Sequence, residues 1–243
     1  MAETETTSPQ IFALGDRALV VEFGRTQTAA VIARVRNVAE HLLAHPLPCV
    51  TDVVPAYAVV TVHFDPIAAM AHYHVANPLD AMREAIAGAI AKTPEISKRR
   101  VRTIEIPVCY GGEFGEDIEV VAKHCRITTD ELVRLHTTPT YEVAMLGFVP
   151  GFGYLSGLDR KLATPRRDTP RKRVVTGSVG IGGDQTAVYP MDSPGGWQVI
   201  GRTPKALFRV DDIASPTVLR AGDHVRFVAI DAAEYARTKA GAR

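Results

Sequence analysis

Apolar residues in the first part of the chain recur at two spacings, which predict alternating strands and helices. Between Thr26 and Ala44 they recur every three to four positions, as on one helical face. The same spacing follows Pro78, where Asn77 is a natural N-cap. Valine-rich runs predict strands at Arg17–Phe23, Val50–Pro55, Ala58–Phe64 and Val101–Val108. The order β-α-β-β-α-β predicts a ferredoxin-like split βαβ domain over residues 1–108, within an α+β chain.

The pattern changes after residue 108, where short helices precede a long β-rich region. Two helices are predicted at Asp117–Cys125 and Thr129–His136, and Thr128 with Glu131 forms a capping box. Strands are then predicted at Glu142–Phe148, Val179–Ile181, Thr186–Tyr189, Trp197–Gly201, Ala206–Phe208 and Asp223–Ile230. Many short strands separated by glycine and proline indicate a small closed barrel or a sandwich over residues 109–230, followed by a frayed tail over 231–243.

Composition narrows the class of protein. The 243 residues carry a formal net charge of +1, and 46% of them are hydrophobic, which suits a sizeable core but no extended nucleic-acid surface. The two adjacent helices could be a helix-turn-helix, but their acidic residues would repel phosphate. Three widely spaced cysteines argue against a disulfide scaffold or a thiolate metal site. The polar first ten residues predict no signal peptide, so we expect a cytoplasmic protein without a membrane span.

A run of basic residues between Arg160 and Arg173 contains the candidate anion-binding residues. Arg166 and Arg167 lie in this run, on a loop that joins two glycine-rich blocks. Guanidinium groups bind carboxylate or phosphate through paired hydrogen bonds. The alternatives are a solvated loop, or arginines that anchor the loop or pair with a partner.

The glycine-rich block Gly177–Gly183 carries neither a P-loop lysine nor a following helix, so it is neither a P-loop nor a Rossmann turn. Tight turns are the preferred interpretation, and exposed amides that hold an oxyanion are the alternative. Neutral donors and a flat apolar wall accompany this block and make up the rest of the candidate substrate site: Ser178, Gln185, Tyr189, Ser193 and Trp197. His136 at a helix end and Asp117 at a helix start are weaker candidates, since the helix dipole accounts for both.

An aromatic block between Met145 and Tyr154 indicates an interface or a pocket wall. It places Phe148, Phe152 and Tyr154 among glycines, where large rings are hard to cover within a small barrel. Exposed aromatic patches of this kind usually mark a protein interface.

Six segments together resemble one known family. They read YGGEFGEDIEVVAKH, LVRLH, MLGFVPGFGYL, TPRRDTPR, GSVGIGGDQTAVYP and SPGGWQVIGRTP. The resemblance is to the family variously called the 5-oxoprolinase B subunit, KipI-like protein and allophanate hydrolase subunit 1, and it covers nearly the whole chain. It implies a small α+β domain followed by a cyclophilin-like β-barrel.

The resemblance also implies a partner with a related barrel, the 5-oxoprolinase C subunit, also called allophanate hydrolase subunit 2. In bacterial 5-oxoprolinase these two chains and a lactam-utilisation subunit open 5-oxoproline to glutamate with ATP hydrolysis. The first expectation is therefore a subunit of that hydrolase, inactive alone, with ATP bound at the level of the complex. A carboxyltransferase-type subunit of a biotin-dependent urea or allophanate system is the second, and a histidine kinase inhibitor is the third. No Ala-Met-Lys-Met biotinylation site is visible, and no motif indicates catalytic residues or a metal site.

Overall fold

The computed structural model describes residues 9–26, 28–94 and 101–241, which fall into two compact units. The second unit starts at Val101, whereas the sequence pattern predicted a boundary after Val108. The charges of the basic segment Lys98–Arg102 also predict that it is exposed, but most of this segment lies outside the described residues. Each unit has its own hydrophobic core, as expected for domains that bury their apolar faces separately.

The first unit contains four strands and three helices among its described residues. These are β1 (Gln10–Ala13), β2 (Ala18–Glu22), α1 (Ala29–Ala44), β3 (Val50–Ala56), β4 (Val59–Phe64), α2 (Pro66–Tyr73) and α3 (Pro78–Ala91). The three helices start at the caps Thr28, Asp65 and Asn77, whose side chains accept hydrogen bonds from amides of the first turn. The predicted N-cap at Asn77 is thus confirmed, while α2 and β1 were not predicted.

The strands of the first unit form one antiparallel sheet in the order β1-β2-β4-β3. Strand β4 lies between β2 and β3, and β1 occupies the edge beside β2. The predicted ferredoxin-like order is therefore not observed, because the strand predicted at Val101–Val108 is absent from this sheet. Strand β1 escaped prediction because it has only four residues and is mostly exposed.

One face of this sheet packs on α1 and α3. The core joins alternate residues of β2 and β4, such as Leu19 and Val62, to Leu42 of α1 and Met82 of α3. Side chains at alternate strand positions share a face, so this packing fixes the register of the sheet. Each fully buried aliphatic side chain contributes about 1.5 to 3 kcal/mol to stability.

The second unit contains nine strands and three α-helices among its described residues. They are β5 (Thr103–Tyr110), α4 (Ile118–Cys125), α5 (Thr129–Thr137), β6 (Tyr141–Leu146), β7 (Gly153–Ser156), β8 (Arg171–Val174), β9 (Ser178–Gly182), β10 (Gln185–Val188), β11 (Ser193–Gly195), β12 (Gln198–Arg202), β13 (His224–Ala229) and α6 (Ala232–Gly241). The predicted N-cap of α5 is confirmed, with the Thr128 hydroxyl accepting from the Glu131 amide at 3.2 Å. The reciprocal half of the predicted capping box is not observed, because the Glu131 carboxylate accepts from Arg134 instead.

Seven of these strands close into a barrel, as predicted. Their order is β10-β7-β6-β13-β5-β12-β9, and β9 returns to pair with β10. Strand β5, which was expected in the first domain, pairs in parallel with β13. That pairing joins residues more than a hundred positions apart, so alternation along β5 could not reveal its sheet. The barrel interior and the inner sides of α4 and α5 share one hydrophobic cluster.

Other local predictions for the second unit need correction. The strand expected at Ala206–Phe208 is reduced to one bridge between Phe208 and Thr217. The tail expected to fray contains α6, which places Tyr235 against Phe114 at a ring separation of 4.6 Å. Strands β7, β8 and β11 were missed because glycine, arginine and proline interrupt them. Within the described residues, no helix is long and apolar enough to cross a membrane.

Candidate functional site

Alternation along β9 sorts its side chains into two sets. Val179 and Ile181 belong to the barrel core, whereas Gly180 and Gly182 lie against Trp197. Successive residues of a strand point to opposite sides, so the second set lies outside the barrel. We call this side of β7, β9, β10 and β12 the outer face.

The outer face carries a small aromatic core. Its buried members are Phe152, Val174, Ala187, Tyr189, Trp197 and Val199. Phe152 makes edge-to-face contacts with Tyr154 at 4.9 Å, with Tyr189 at 5.3 Å and with Trp197 at 5.7 Å between ring centroids. Each such pair adds about 0.5 to 1.5 kcal/mol beyond the area that it buries. The ribbon formed by β8 and β11 contributes Val174 to this core.

Two glycines make room for these rings. A Cβ atom at Gly182 would lie 2.6 to 2.7 Å from three ring atoms of Trp197. A Cβ atom at Gly195 would lie 2.5 Å from the Tyr189 hydroxyl. A larger residue at either position must therefore displace a ring of the site. The glycine-rich blocks serve close packing of rings on strands, which is one reason for glycine within a strand.

The block Gly177–Gly183 is a paired strand and not a loop of exposed amides. Strand β9 pairs with β10 on one side and β12 on the other, and its residues are buried. Amides in a two-sided ladder are already hydrogen-bonded, so the predicted oxyanion cradle is wrong for this strand. Turns remain at its two ends, where Gly177 and Gly183 have φ angles of 85° and 68°.

The two neighbouring arginines have different surroundings. Arg166 is exposed, and its Cζ lies 5.7 Å from the centroid of the Trp197 ring. In the described part of the chain it has no ion-pair partner. Arg167 is half-buried, and its Nη1 donates to Asp117 Oδ1 at 3.0 Å. Arg167 thus anchors the loop, the alternative considered above, and only Arg166 presents its charge to solvent.

Asp117 holds in place the loop that carries Arg166 and Arg167, which we call the arginine loop. It is 3% exposed, and its carboxylate accepts from Arg167 and from both terminal nitrogens of Arg171, each of the latter at 2.8 Å. It also accepts from the Val199 amide at 2.7 Å. These hydrogen bonds raise the pKa of Arg171. The sequence marked Asp117 only as a helix-start acid, because its partners lie fifty or more positions away.

The neutral candidates separate by accessibility. Gln185 is half-buried and pairs with Gly182, so it lies beside Trp197 on the outer face. Ser178 and Ser193 are 1% and 7% exposed, which places both in the wall behind the site. The Ser193 hydroxyl finds no hydrogen-bond partner among the described residues, and neither do Gln198 Oε1 and Arg167 Nε. Buried polar groups are normally satisfied, so these three atoms are exceptions within the described part of the chain.

The aromatic candidates also differ in accessibility. Phe152 is 2% exposed, Tyr154 is half-buried, and Phe148 is 58% exposed. Phe148 adopts a φ of 68°, in the left-handed region that a bulky residue rarely occupies. A strained backbone that exposes a ring often occurs at functional surfaces. Of the three rings, Phe148 is therefore the one that a partner or ligand can reach most readily.

A second polar cluster lies inside the barrel and is completely buried. His136 Nε2 lies 2.9 Å from the Thr186 hydroxyl, which itself donates to the Gly180 carbonyl. The imidazole therefore donates through Nε2, and its Nδ1 accepts from the Tyr110 hydroxyl at 2.8 Å. Burial lowers the pKa of His136 to about 3, so the ring is neutral at physiological pH. The prediction that His136 interacts with carbonyls at its helix end is wrong for its side chain.

The pKa of Tyr189 on the outer face is shifted away from the range of a nucleophile. Burial raises the pKa of Tyr189, although a hydrogen bond from the Trp197 backbone and the charge of Arg166 oppose this shift. Tyr189 is therefore protonated at neutral pH. Among the described residues, no group of three or more His, Cys, Asp and Glu side chains could hold a metal ion. A cation stacked on an indole, with an amide alongside, suits a small planar anion.

Comparison with known proteins places the chain among well-defined relatives. The family described as carboxyltransferase domain, subdomain C and D, matches residues 9–219. The chain is 41% identical to the 5-oxoprolinase B subunit of Bacillus subtilis over 95% of its own length and 96% of that protein. It is 53% identical to the 5-oxoprolinase B subunit of Haemophilus influenzae over 55% of its length and 62% of that protein.

A solved structure shows the same architecture. The crystal structure of TTHA0988 superposes with a TM-score of 0.75 at 33% identity, over 88% of this chain. The chain spans 40% of the length of that protein. The similarity therefore covers most of this chain but less than half of the solved relative.

Proposed function

Because the chain belongs to the family described as carboxyltransferase domain, subdomain C and D, we propose that it is the B subunit of a 5-oxoprolinase complex. The observation that carries the proposal is the 41% identity to the 5-oxoprolinase B subunit of Bacillus subtilis over almost the full length of both proteins. The complex opens 5-oxo-L-proline to L-glutamate with ATP hydrolysis, in the cytoplasm. The barrel of this chain is proposed to be of the cyclophilin-like type.

The outer face supports a small cyclic carboxylate as the ligand. Arg166 supplies a cation without an ionic partner among the described residues, and Trp197 supplies a flat wall beneath it. Gln185 beside Gly182 offers an amide to the lactam group of 5-oxoproline. Arg167, Ser178, Tyr189 and Ser193 shape the wall behind these groups. The substrate site is therefore centred on Arg166, Gln185 and Trp197.

A partner chain completes the enzyme. No nucleotide-binding motif is visible in the sequence, and the outer face lacks a nucleophile with an adjacent base, so ATP and the chemical step belong to the complex. Phe148, with 58% of its surface exposed beside the aromatic core, suits an interface with a homologue of the C subunit. A lactam-utilisation subunit completes the assembly.

Reconstitution tests this function directly. The chain is co-expressed with a C-subunit homologue and a lactam-utilisation subunit, and glutamate formation from 5-oxoproline is measured with and without ATP. We expect ATP-dependent glutamate from the complex and none from the isolated chain. Stable co-elution with the C subunit on gel filtration is the accompanying expectation. A well-assembled complex that forms no glutamate would refute the proposal.

The family description favours one second function, a carboxyltransferase subunit for a urea-like substrate. Its biotin would be carried by another chain, since this sequence shows no biotinylation site. The same purified complex, supplied with a carboxylated biotin carrier and urea, distinguishes the two functions. Carboxyl transfer without 5-oxoproline turnover would favour this second function over the first.

A further inference from the structure

The carboxylate of Asp117 joins three segments of the second unit that are distant in sequence. It accepts hydrogen bonds from Arg167 of the arginine loop, from Arg171 at the start of β8 and from the amide of Val199 in β12. The amide of Asp117 in turn donates to the Val199 carbonyl at 2.8 Å. One buried side chain therefore connects the start of α4 to the segment that carries Arg167 and Arg171 and to strand β12.

The position of Asp117 makes this arrangement informative. Asp117 is the N-cap residue of α4, yet its side chain makes no capping hydrogen bond. Aspartate is favoured at an N-cap because it accepts from amides of the first helical turn. Here the carboxylate accepts instead from Arg167 of the arginine loop, from Arg171 of β8 and from the amide of Val199 in β12. Holding those segments, and not starting the helix, is what its carboxylate does.

The same contacts set the distance between Arg166 and Trp197. Arg167 directly follows Arg166, and Val199 lies two residues beyond Trp197, so both sides of the cation-ring pair are held through Asp117. The two-pronged contact with Arg171 fixes orientation as well as distance. A hydrogen bond from the Arg167 amide to the Gly196 carbonyl at 2.7 Å also holds the arginine loop next to the residue before Trp197.

Among the four arginines between residues 166 and 173, only Arg166 has no ion pair with a described residue. Asp117 pairs with Arg167 and Arg171, and Asp192 pairs with Arg173. Arg166 has no ionic partner among residues 101–241. The pattern of ion pairs thus determines which guanidinium is available on the outer face.

We propose that Asp117 is a positioning residue that holds Arg166 over Trp197 and thereby sets the affinity for the carboxylate of the substrate. The inference rests on the proposed 5-oxoprolinase function, because 5-oxoproline supplies that carboxylate. With 3% of its surface exposed, Asp117 acts through the arginine loop and not by contact with the substrate.

A double-mutant cycle in the reconstituted complex tests the inference. Asp117→Asn removes the charge at nearly constant size, and Arg166→Ala removes the cation. Each should raise KM for 5-oxoproline about tenfold, with kcat within twofold. If Asp117 acts through Arg166, the double variant should have a KM within about twofold of Arg166→Ala. Glu119→Gln, an exposed acid on the same helix, is the control and should leave KM unchanged.

The outcomes separate the inference from the function. A wild-type complex without 5-oxoproline turnover overturns both. An active wild type with an unchanged KM in Asp117→Asn, or a double variant whose KM rises about a hundredfold, overturns the inference alone. If Asp117→Asn fails to assemble, the KM of an Arg171→Lys complex tests the inference instead. This variant keeps the positive charge of residue 171 but loses its two-pronged contact with Asp117. It should raise KM about threefold, and an unchanged KM in a stable Arg171→Lys complex counts against the inference.

Discussion

The second unit carries polar groups on both sides of its barrel wall. The inner set is neutral and buried, whereas the outer set is charged and partly exposed. Inside, His136 is neutral, fully buried and hydrogen-bonded through both ring nitrogens. Outside, Asp117 and the arginines form a charged cluster in which Arg166 remains exposed. Thr186 of the inner set and Gln185 of the outer set are neighbours in β10, so a single strand serves both.

The difference shows that a perturbed pKa does not by itself mark a functional site. The pKa of His136 falls to about 3 because burial disfavours the charged ring, but no ligand can reach that ring in this structure. Structural networks shift pKa values as strongly as active sites do. Accessibility together with an unpaired charge is the better guide here, and it points to the outer face.

Removing the inner imidazole should produce the largest effect. His136→Ala leaves a cavity and deprives Tyr110 and Thr186 of a partner, so we expect a loss of about 3 to 5 kcal/mol in unfolding free energy. Urea unfolding measures this loss. His124→Ala on the exposed side of α4 is the control and should change stability by less than about 0.5 kcal/mol. A loss below about 1 kcal/mol for His136→Ala would show that the inner network is dispensable.

Crowding the outer face should have a smaller effect on stability and a clear effect on the site. Gly182→Ala brings a methyl group against the Trp197 ring, and overpacking of this kind costs about 1 to 3 kcal/mol. Trp197 is the only tryptophan, so its fluorescence emission should shift as the ring moves. Activity of the complex should fall with it.

The matched glycine control is Gly88→Ala, an exposed helix position where a Cβ meets nothing within 4 Å. This substitution should stabilise the first unit by about 0.5 to 1 kcal/mol and leave Trp197 emission unchanged. Unchanged emission in Gly182→Ala itself would mean that the strand moves and the ring does not.

Sequence predicted those parts of the fold that rest on local signals. The N-caps at Asn77 and Thr128 follow from short-range patterns, and the structure bears them out. The same kind of pattern predicted a closed barrel or a sandwich, and the structure has the barrel. The sheet to which β5 belongs depends on pairing with β13 near the other end of the chain, which no local pattern encodes.

The candidate site was predictable to a similar degree. Glycine and aromatic spacing led to Trp197, Tyr189 and Gln185, which the structure brings to one face. The separation of roles between Arg166 and Arg167 depends on Asp117, fifty positions before Arg167, so identical neighbouring side chains could not be told apart.

Acid should weaken the inner network around His136. In the folded protein the pKa of His136 is about 3, against 6.5 for an unperturbed histidine. As the pH falls below 6.5, the imidazole is therefore protonated in the unfolded chain but stays neutral in the folded one. Stability from this group is therefore present above pH 6.5 and lost as pH falls towards 3. Between pH 7 and pH 5 the loss should be about 2 kcal/mol.

The matched variant for this pH dependence is His136→Gln, which keeps a donor and an acceptor but does not titrate. The wild type should lose about 2 kcal/mol more than this variant over the same interval, in parallel urea titrations. Equal losses in the two proteins would mean that His136 remains free to protonate in the folded state.

The smallest change in free energy is expected on the outer face, where it affects activity rather than folding. Arg166→Ala removes the exposed cation and Gln185→Ala removes the neighbouring amide. Each should lower kcat/KM of the complex for 5-oxoproline by about tenfold or more, equivalent to about 1.4 kcal/mol or more of transition-state stabilisation. In Arg166→Ala, unfolding free energy and co-elution with the C subunit should stay at wild-type values, because Arg166 is exposed and has no ionic partner within the described residues. Full activity in both variants would place the substrate elsewhere. Lost activity that merely follows failed assembly would assign these residues to the interface.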